Sequence, residues 1–136
     1  MQEAQRDEPA VEKLYRVAFF IAGLPKRFNQ SPGASWRARY GVAKKWQAFV
    51  ATALVINGGA PKKPLRKARI TFVRHSSVAP DYDGLVQSFK PVMDALKKCK
   101  VIEDDSMEHV GAPVYGWRKA PRGAGRIWVE VIGVED

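Results

Sequence analysis

Asp81 and Asp83 stand two residues apart, Lys90 follows seven residues after Asp83, and Glu103-Asp104-Asp105 closes the same stretch. Carboxylate oxygens suit a hard divalent cation such as Mg²⁺, which binds through few protein groups and leaves positions for water and phosphate oxygens. An ion so held polarises a phosphate ester and turns bound water into a nucleophile. An ammonium at Lys90 is the group to stabilise negative charge developing on a phosphate or a leaving oxygen. The chemistry these residues point to is phosphodiester hydrolysis. In an extended segment Asp81 and Asp83 project to the same side and make a two-oxygen clamp. Pro80 favours that extended approach, and Gly84 frees the backbone where a helix begins. A purely structural reading competes: Asp83 as a helix N-cap, Asp81 as a solvated loop residue, Asp104-Asp105 as a charged turn and Lys90 as one exposed lysine among many.

The charge around this stretch names the substrate class. The 136-residue chain carries a formal charge of +9, yet no Asp or Glu occurs from Leu14 to Pro80. That span holds Arg16, Lys26, Arg27, Arg37, Arg39, Lys44, Lys45, Lys62, Lys63, Arg66, Lys67, Arg69 and Arg74. A one-sign field of this kind attracts a polyanion and carries some self-repulsion. Lys26, Arg27, Arg37, Arg39, Lys44, Lys45, Arg69 and Arg74 are the candidate phosphate contacts. An anionic membrane is a weaker match, because no basic amphipathic helix with an aromatic apolar face stands out.

Other chemistry finds little support. His75 and His109 have neither metal-ligand spacing nor a triad pattern, although His109 is close enough in sequence to the acidic cluster to support it. The lone Cys99 excludes an intrachain disulfide and reads as buried rather than catalytic. Trp36, Trp46, Trp117 and Trp128 read as packing residues, with Trp117, beside Arg118 and Lys119, the best candidate for stacking on a base.

The elements that must position these residues follow from periodicity. Residues 1–13 are polar and acidic and read as a flexible N-terminal tail without the apolar core of a signal peptide; residues 14–136 read as one domain. Leu14 to Ala22 suggests a strand, ended by Gly23-Leu24-Pro25, and Lys26 to Ser35 a polar loop. Ser35 caps a helix expected from Trp36 to about Ile56, with Tyr40, Ala43, Trp46, Phe49, Val50, Ala53 and Leu54 at helical spacing. Asn57-Gly58-Gly59 stops it. A strand over Lys67 to His75 delivers Asp81 through a short loop. A second helix spans about Gly84 to Lys98, with Leu85, Phe89, Val92, Met93 and Leu96 as its apolar stripe and a kink or break expected at Pro91. Unbroken, it would be roughly 22 Å long at about 1.5 Å per residue, so Asp105 would have to return along it to reach Asp83. Val101-Ile102 is a short strand or a buried turn. Strands over Glu108 to Trp117 and Arg126 to Val134 complete the order β-α-β-α-β-β, an α+β domain with a mixed sheet and helices on one face.

Taken together, Asp81-x-Asp83-Gly84-Leu85, Phe89-Lys90-Pro91, Asp94-Ala95-Leu96, Val101-Ile102-x-Asp104-Asp105-Ser106 and Glu108-His109-Val110 resemble the RusA-type Holliday junction resolvases, the crossover-junction endodeoxyribonucleases of phages and prophages. Leu24-Pro25 with Asn29 is similar to that family's Pro-Pro-Ser-x-Asn loop. The resemblance runs from Val17 to the C-terminus and is sharpest from Asp81 to Val110. It implies a homodimeric, Mg²⁺-dependent endonuclease, with Mn²⁺ as a substitute ion, that binds four-way DNA junctions and makes paired nicks during recombination and repair. It carries over Asp81, Asp83 and Asp105 as metal-binding and catalytic carboxylates, Lys90 as the catalytic lysine and Asn29 as a DNA-binding residue. Two departures stand out: Gly84 replaces the usual Asn, and Leu24 with Lys26-Arg27 replaces part of the proline-serine loop.

Two further functions share these features. One is a non-catalytic protein of the same fold that grips branched DNA, which the same basic field would serve. The other is a phosphodiesterase acting on RNA or flaps, although nothing here reads a 2′-hydroxyl. A cytoplasmic location is the expectation in each case, with no membrane span.

Overall fold

Alternating burial along β-strands builds a four-stranded sheet with one buried face. The computed structural model describes residues 14–26 and 36–135. The expected tail over 1–13 and the Ser35 cap lie outside them. β1 (Arg16–Ala22) buries Val17, Phe19 and Ile21, and β2 (Ala68–Ser76) buries Ala68, Ile70 and Phe72. β3 (Val114–Lys119) is a partly exposed edge, and β4 (Arg126–Gly133) buries Ile127, Val129 and Val131. A period of two puts each buried set on one face. The strand order is β1-β4-β2-β3. β4 pairs antiparallel with β1 and β2, whereas β3 runs parallel to β2, so the sheet is mixed. A parallel step requires a crossover, and the candidate site is built in this one.

α1 (Trp36–Ile56) lays Trp46, Val50, Ala53 and Leu54 against β1 and the crossover. Gly58 and Gly59, at φ 108° and 91°, end it where an L side chain would be strained. Tyr40 and Phe49, expected on the buried stripe, are exposed instead. The crossover holds α2 (Tyr82–Ser88), α3 (Lys90–Lys98) and α4 (Met107–Val110).

The expected long helix is indeed broken, one residue before the Lys90-Pro91 pair. Phe89 ends α2 and begins α3, with φ −88° and ψ 0°. Its ring is fully buried and stacks on Phe72 of β2, with centroids 4.7 Å apart and planes 18° from parallel. Pro91 thereby falls in the first turn of α3, where its missing N–H has no helical acceptor to satisfy. Leu85, Val92, Met93 and Leu96 are all buried as the stripe requires.

One strand boundary moves. Glu108 to Val110 belongs to the short α4, and β3 begins only at Val114. Gly111, at φ 57°, ends α4, and Pro113 lacks the N–H that a ladder there would use. Among the described residues no helix is long and apolar enough to cross a membrane.

Because Phe89 fills the joint between the helices and Pro91 only adapts to it, Phe89→Ala should cost about 3–5 kcal/mol in urea unfolding. Pro91→Ala should cost about 1 kcal/mol or less. Equal costs would contradict the assignment of the break to Phe89.

Candidate functional site

The Phe89 joint places Lys90 at the first position of α3, facing a partly open cavity of about 440 Å³ lined in part by Gln87, Lys90, Asp105 and Tyr115. Asp105 reaches this cavity because the chain reverses after α3. Lys100 takes the left-handed conformation at φ 66°, and the N–H groups of Lys100 and Val101 bond back to the carbonyls of Lys97 and Leu96. This is a Schellman-type ending with lysine where glycine is usual. Val101 and Ile102 then run back buried along α3. Leu65 pins them, donating to the Val101 carbonyl at 2.8 Å and accepting from the Glu103 N–H at 3.0 Å. The return runs the length of α3 only and ends at Lys90, short of Asp83.

At the end of this return the side chains form one chain of opposite charges. Lys90 Nζ lies 3.2 Å from Asp94 Oδ1 and 3.3 Å from Asp105 Oδ2. Lys97 Nζ lies 3.4 Å from Asp105 Oδ1 and 3.4 Å from Asp104 Oδ1. Each oxygen of Asp105 thus faces its own ammonium. Partial burial pushes the Asp105 carboxyl upward, but the hydrogen bonds and charges of Lys90 and Lys97 outweigh that and hold it below the ordinary carboxylate value. Burial likewise works to lower Lys90, and Asp94 and Asp105 outweigh it, so its pKa is raised and it stays protonated at neutral pH. Burial raises the Tyr115 hydroxyl, which therefore remains neutral beside them.

Asp81 and Asp83 do not form the extended clamp. Asp81 is the N-cap of α2, with φ −74° and ψ 165°, and its Oδ1 accepts from the Gly84 N–H at 2.9 Å. Asp83 is already in the first helical turn, so the segment is not extended and the period-two alignment of the two side chains is lost. The capping role belongs to Asp81 rather than to Asp83. Gly84 has a helical backbone and is buried. The Asp81 side of α2 borders a second cavity of about 280 Å³, lined by Pro25, Lys26, Arg74, Pro80, Asp81, Gly84 and Ser88.

The structure therefore joins Lys90 to Asp105 and leaves Asp81 and Asp83 outside that pair. Among the described residues no three His, Cys, Asp or Glu side chains gather closely enough to hold a metal ion. The donor chemistry still suits a hard cation: Asp81 commits only Oδ1 to its cap, and Asp83 enters no ion pair among the described residues. The carboxylates are supplied but not assembled.

The predicted phosphate contacts divide similarly. Arg37, Arg39, Lys44 and Lys45 lie exposed along α1, and Lys26 is exposed beside Asp81. Arg74 reaches the same cavity but donates to the Pro25 carbonyl at 2.8 Å. Arg69 alternates with buried Ala68 and Ile70 and lines a different cavity, with Glu108 and His109 of α4, rather than the one holding Lys90 and Asp105. Arg27 and Asn29 lie outside the described residues.

Several other expectations resolve. His109 Nδ1 donates to the Arg66 carbonyl at 2.7 Å, an engagement away from the acidic residues. His75 meets the edge of Phe20, and its pKa is lowered by burial and then by Arg126 and Arg118. Trp117 is tied by its indole N–H to Ser76 Oγ at 2.9 Å, whereas Trp36 is the exposed tryptophan at 66%. Cys99 is only partly buried, not buried as expected, and that burial raises its thiol. Lys97 and Tyr115 were not among the sequence candidates. Lys97 was detectable, being two helical turns after Lys90; Tyr115 was not, because only the parallel β2–β3 pairing brings it to the cavity. No family model matches this chain, and no curated protein matches it.

The sign of the pH dependence follows from Asp105. Its folded pKa is depressed, so its stabilisation is complete above the unfolded value near 3.9 and is lost as pH falls through the folded value. The pair is partly exposed, so Asp105→Asn should cost only about 0.5–1 kcal/mol at pH 7. In urea titrations the difference from wild type should close below about pH 4. A gap that persists at pH 2 would show that Asp105 acts through packing rather than charge.

Proposed function

We propose that this chain is a Mg²⁺-dependent, structure-selective DNA endonuclease that resolves four-way junctions by paired nicks, working as a homodimer in the cytoplasm. The observation that carries the reading is the Lys90–Asp105 pair at the mouth of a cavity beside the Asp81-capped helix. The resemblance to RusA-type resolvases supports the same residues. By that resemblance Asp81, Asp83 and Asp105 would hold the ion once brought together from the separate positions they occupy here, and the bound ion would activate water and polarise the scissile phosphate.

The chain's own residues have separate tasks. Lys90 supplies a protonated ammonium, bridged to Asp94 and Asp105, that stabilises negative charge on the phosphate as it develops. Lys97 holds the second oxygen of Asp105 and keeps that carboxylate oriented. The exposed cations of α1, with Lys26, bind phosphates without reading bases, which gives salt-dependent affinity. A two-fold dimer would offer two such sites to symmetry-related strands.

One observation favours a second reading, a non-catalytic protein that grips branched DNA: the three carboxylates do not converge among the described residues. Side-chain substitution separates the two. Lys90→Ala should slow junction cleavage about 10²–10³-fold and weaken junction binding only about threefold, as for one phosphate contact. Asp83→Asn should bind junctions normally and fail to cut them. Cleavage unchanged in Asp83→Asn would remove its metal role, and equal losses of binding and cleavage in Lys90→Ala would reduce that lysine to a phosphate contact.

A further inference from the structure

The buried stripe of α1 does not stop where the core stops. Trp36, Arg39, Tyr40 and Ala43 fall on the same helical arc as Val50 and Leu54 further along. Val50 and Leu54 are buried, yet Trp36 and Tyr40 are 66% and 57% exposed. From Trp36 to Trp46 the helix extends roughly 15 Å, at about 1.5 Å per residue, beyond its first well-buried contact. The overhang borders a shallow, largely open recess of about 550 Å³ lined by Trp36, Arg39, Tyr40, Ala43, Lys90 and Asp94. Lys90 also lines the cavity that contains Asp105, so the recess and the candidate active site share a wall.

Two large aromatic rings, one helical turn apart, thus stand exposed over this recess on the arc that buries Val50 and Leu54 further along. Their surroundings are cationic. The Arg37 guanidinium lies 5.4 Å from the Trp36 ring centroid and the Lys44 ammonium 5.4 Å from that of Tyr40. α1 carries no acidic residue, and the single carboxylate lining the recess, Asp94, is neutralised by Lys90. A second copy of this chain would bring like charge to the same face. A duplex offers phosphates to the cations but keeps its bases stacked and away from the rings. An unpaired nucleotide satisfies both features, with its base on an aromatic face and its phosphate among the cations.

We propose that the recess between the N-terminal turns of α1 and Lys90 seats an unpaired base of branched DNA, stacked on Trp36 and Tyr40. The inference rests on the reading of the chain as a DNA endonuclease, and it deepens that reading: the protein recognises the opened branch point beside the bond to be cut. Specificity for branched DNA then arises partly from stacking, which is independent of base sequence, and not only from phosphate geometry.

The test is equilibrium binding by fluorescence anisotropy in EDTA, so that no cleavage occurs. The probes are a labelled duplex and the same duplex carrying a short bulge of unpaired thymines. Wild type should prefer the bulged DNA. Trp36→Ala should weaken binding to it about tenfold, within the range for loss of one base–aromatic stack, and should change duplex affinity less than about twofold. Trp36→Phe should restore most of the loss, and the salt dependence of binding should not change, because no cation is removed. Equal losses on both DNAs, or no loss on either, would overturn the proposal. So would a Trp36→Ala variant with unchanged DNA affinities and altered sedimentation, because the face would then be a contact between copies. The seat and the nuclease reading fail separately. A Trp36-dependent preference for bulged DNA without Mg²⁺-dependent cutting would sustain the base seat alone. Junction cutting by a protein with no such preference would sustain the nuclease alone.

Discussion

The stack of Phe89 on Phe72 is the contact on which the rest of the site depends. It nails the middle of the β2-to-β3 crossover to the central sheet at the residue where one helix becomes two, just before Pro91. Full burial of such a ring is worth about 1.5–3 kcal/mol, enough to outweigh the few helical hydrogen bonds that the break gives up. Everything nearby is placed by it. The next residue is Lys90, held at the cavity mouth, and Pro91 becomes an acceptable first-turn proline. The turn at Lys100 then folds the chain back along α3 and presents Asp105 to that same lysine.

Electrostatics then gives the region its character. A chain of formal charge +9 keeps its carboxylates near the crossover by pairing them with lysines: Asp94 and Asp105 with Lys90, Asp104 and Asp105 with Lys97. The pairs are partly exposed, so each contributes little to stability. Their consequence is local: an ionised carboxylate and a protonated lysine are held side by side at neutral pH, near exposed cations that suit a phosphate backbone. The α1 overhang places aromatic rings next to those charges.

Much of this was legible from residue types and spacing. Period-two burial in β2 and β4, the length of α1, its Gly58-Gly59 stop and the break near Pro91 all follow from local rules, and the structure has them. The Lys90–Asp105 meeting could be anticipated only as a need for the chain to return; the turn that achieves it uses Lys100 in a conformation that favours glycine, which no local signal announces. Asp81 and Asp83 illustrate the opposite limit. A pair two apart forms a clamp only in extended chain, and with Asp81 as the cap the helix starts at Tyr82, two residues before the expected Gly84, and takes Asp83 into its first turn. Similarly, Glu108 to Val110 reads as the start of the following strand until Gly111 is seen to end a helical turn there. The exposure of Trp36 and Tyr40 could not be read from a stripe that is continuous in sequence, because periodicity does not say where the core ends.

The most direct test of the account is a cleavage assay on a synthetic mobile four-way junction with Mg²⁺, beside linear duplex and flap controls and an Asp81→Asn protein. The account predicts paired nicks confined to the junction and abolished by the substitution. Tight junction binding without cleavage in either Mg²⁺ or Mn²⁺ would contradict it and leave a protein that holds branched DNA without cutting it.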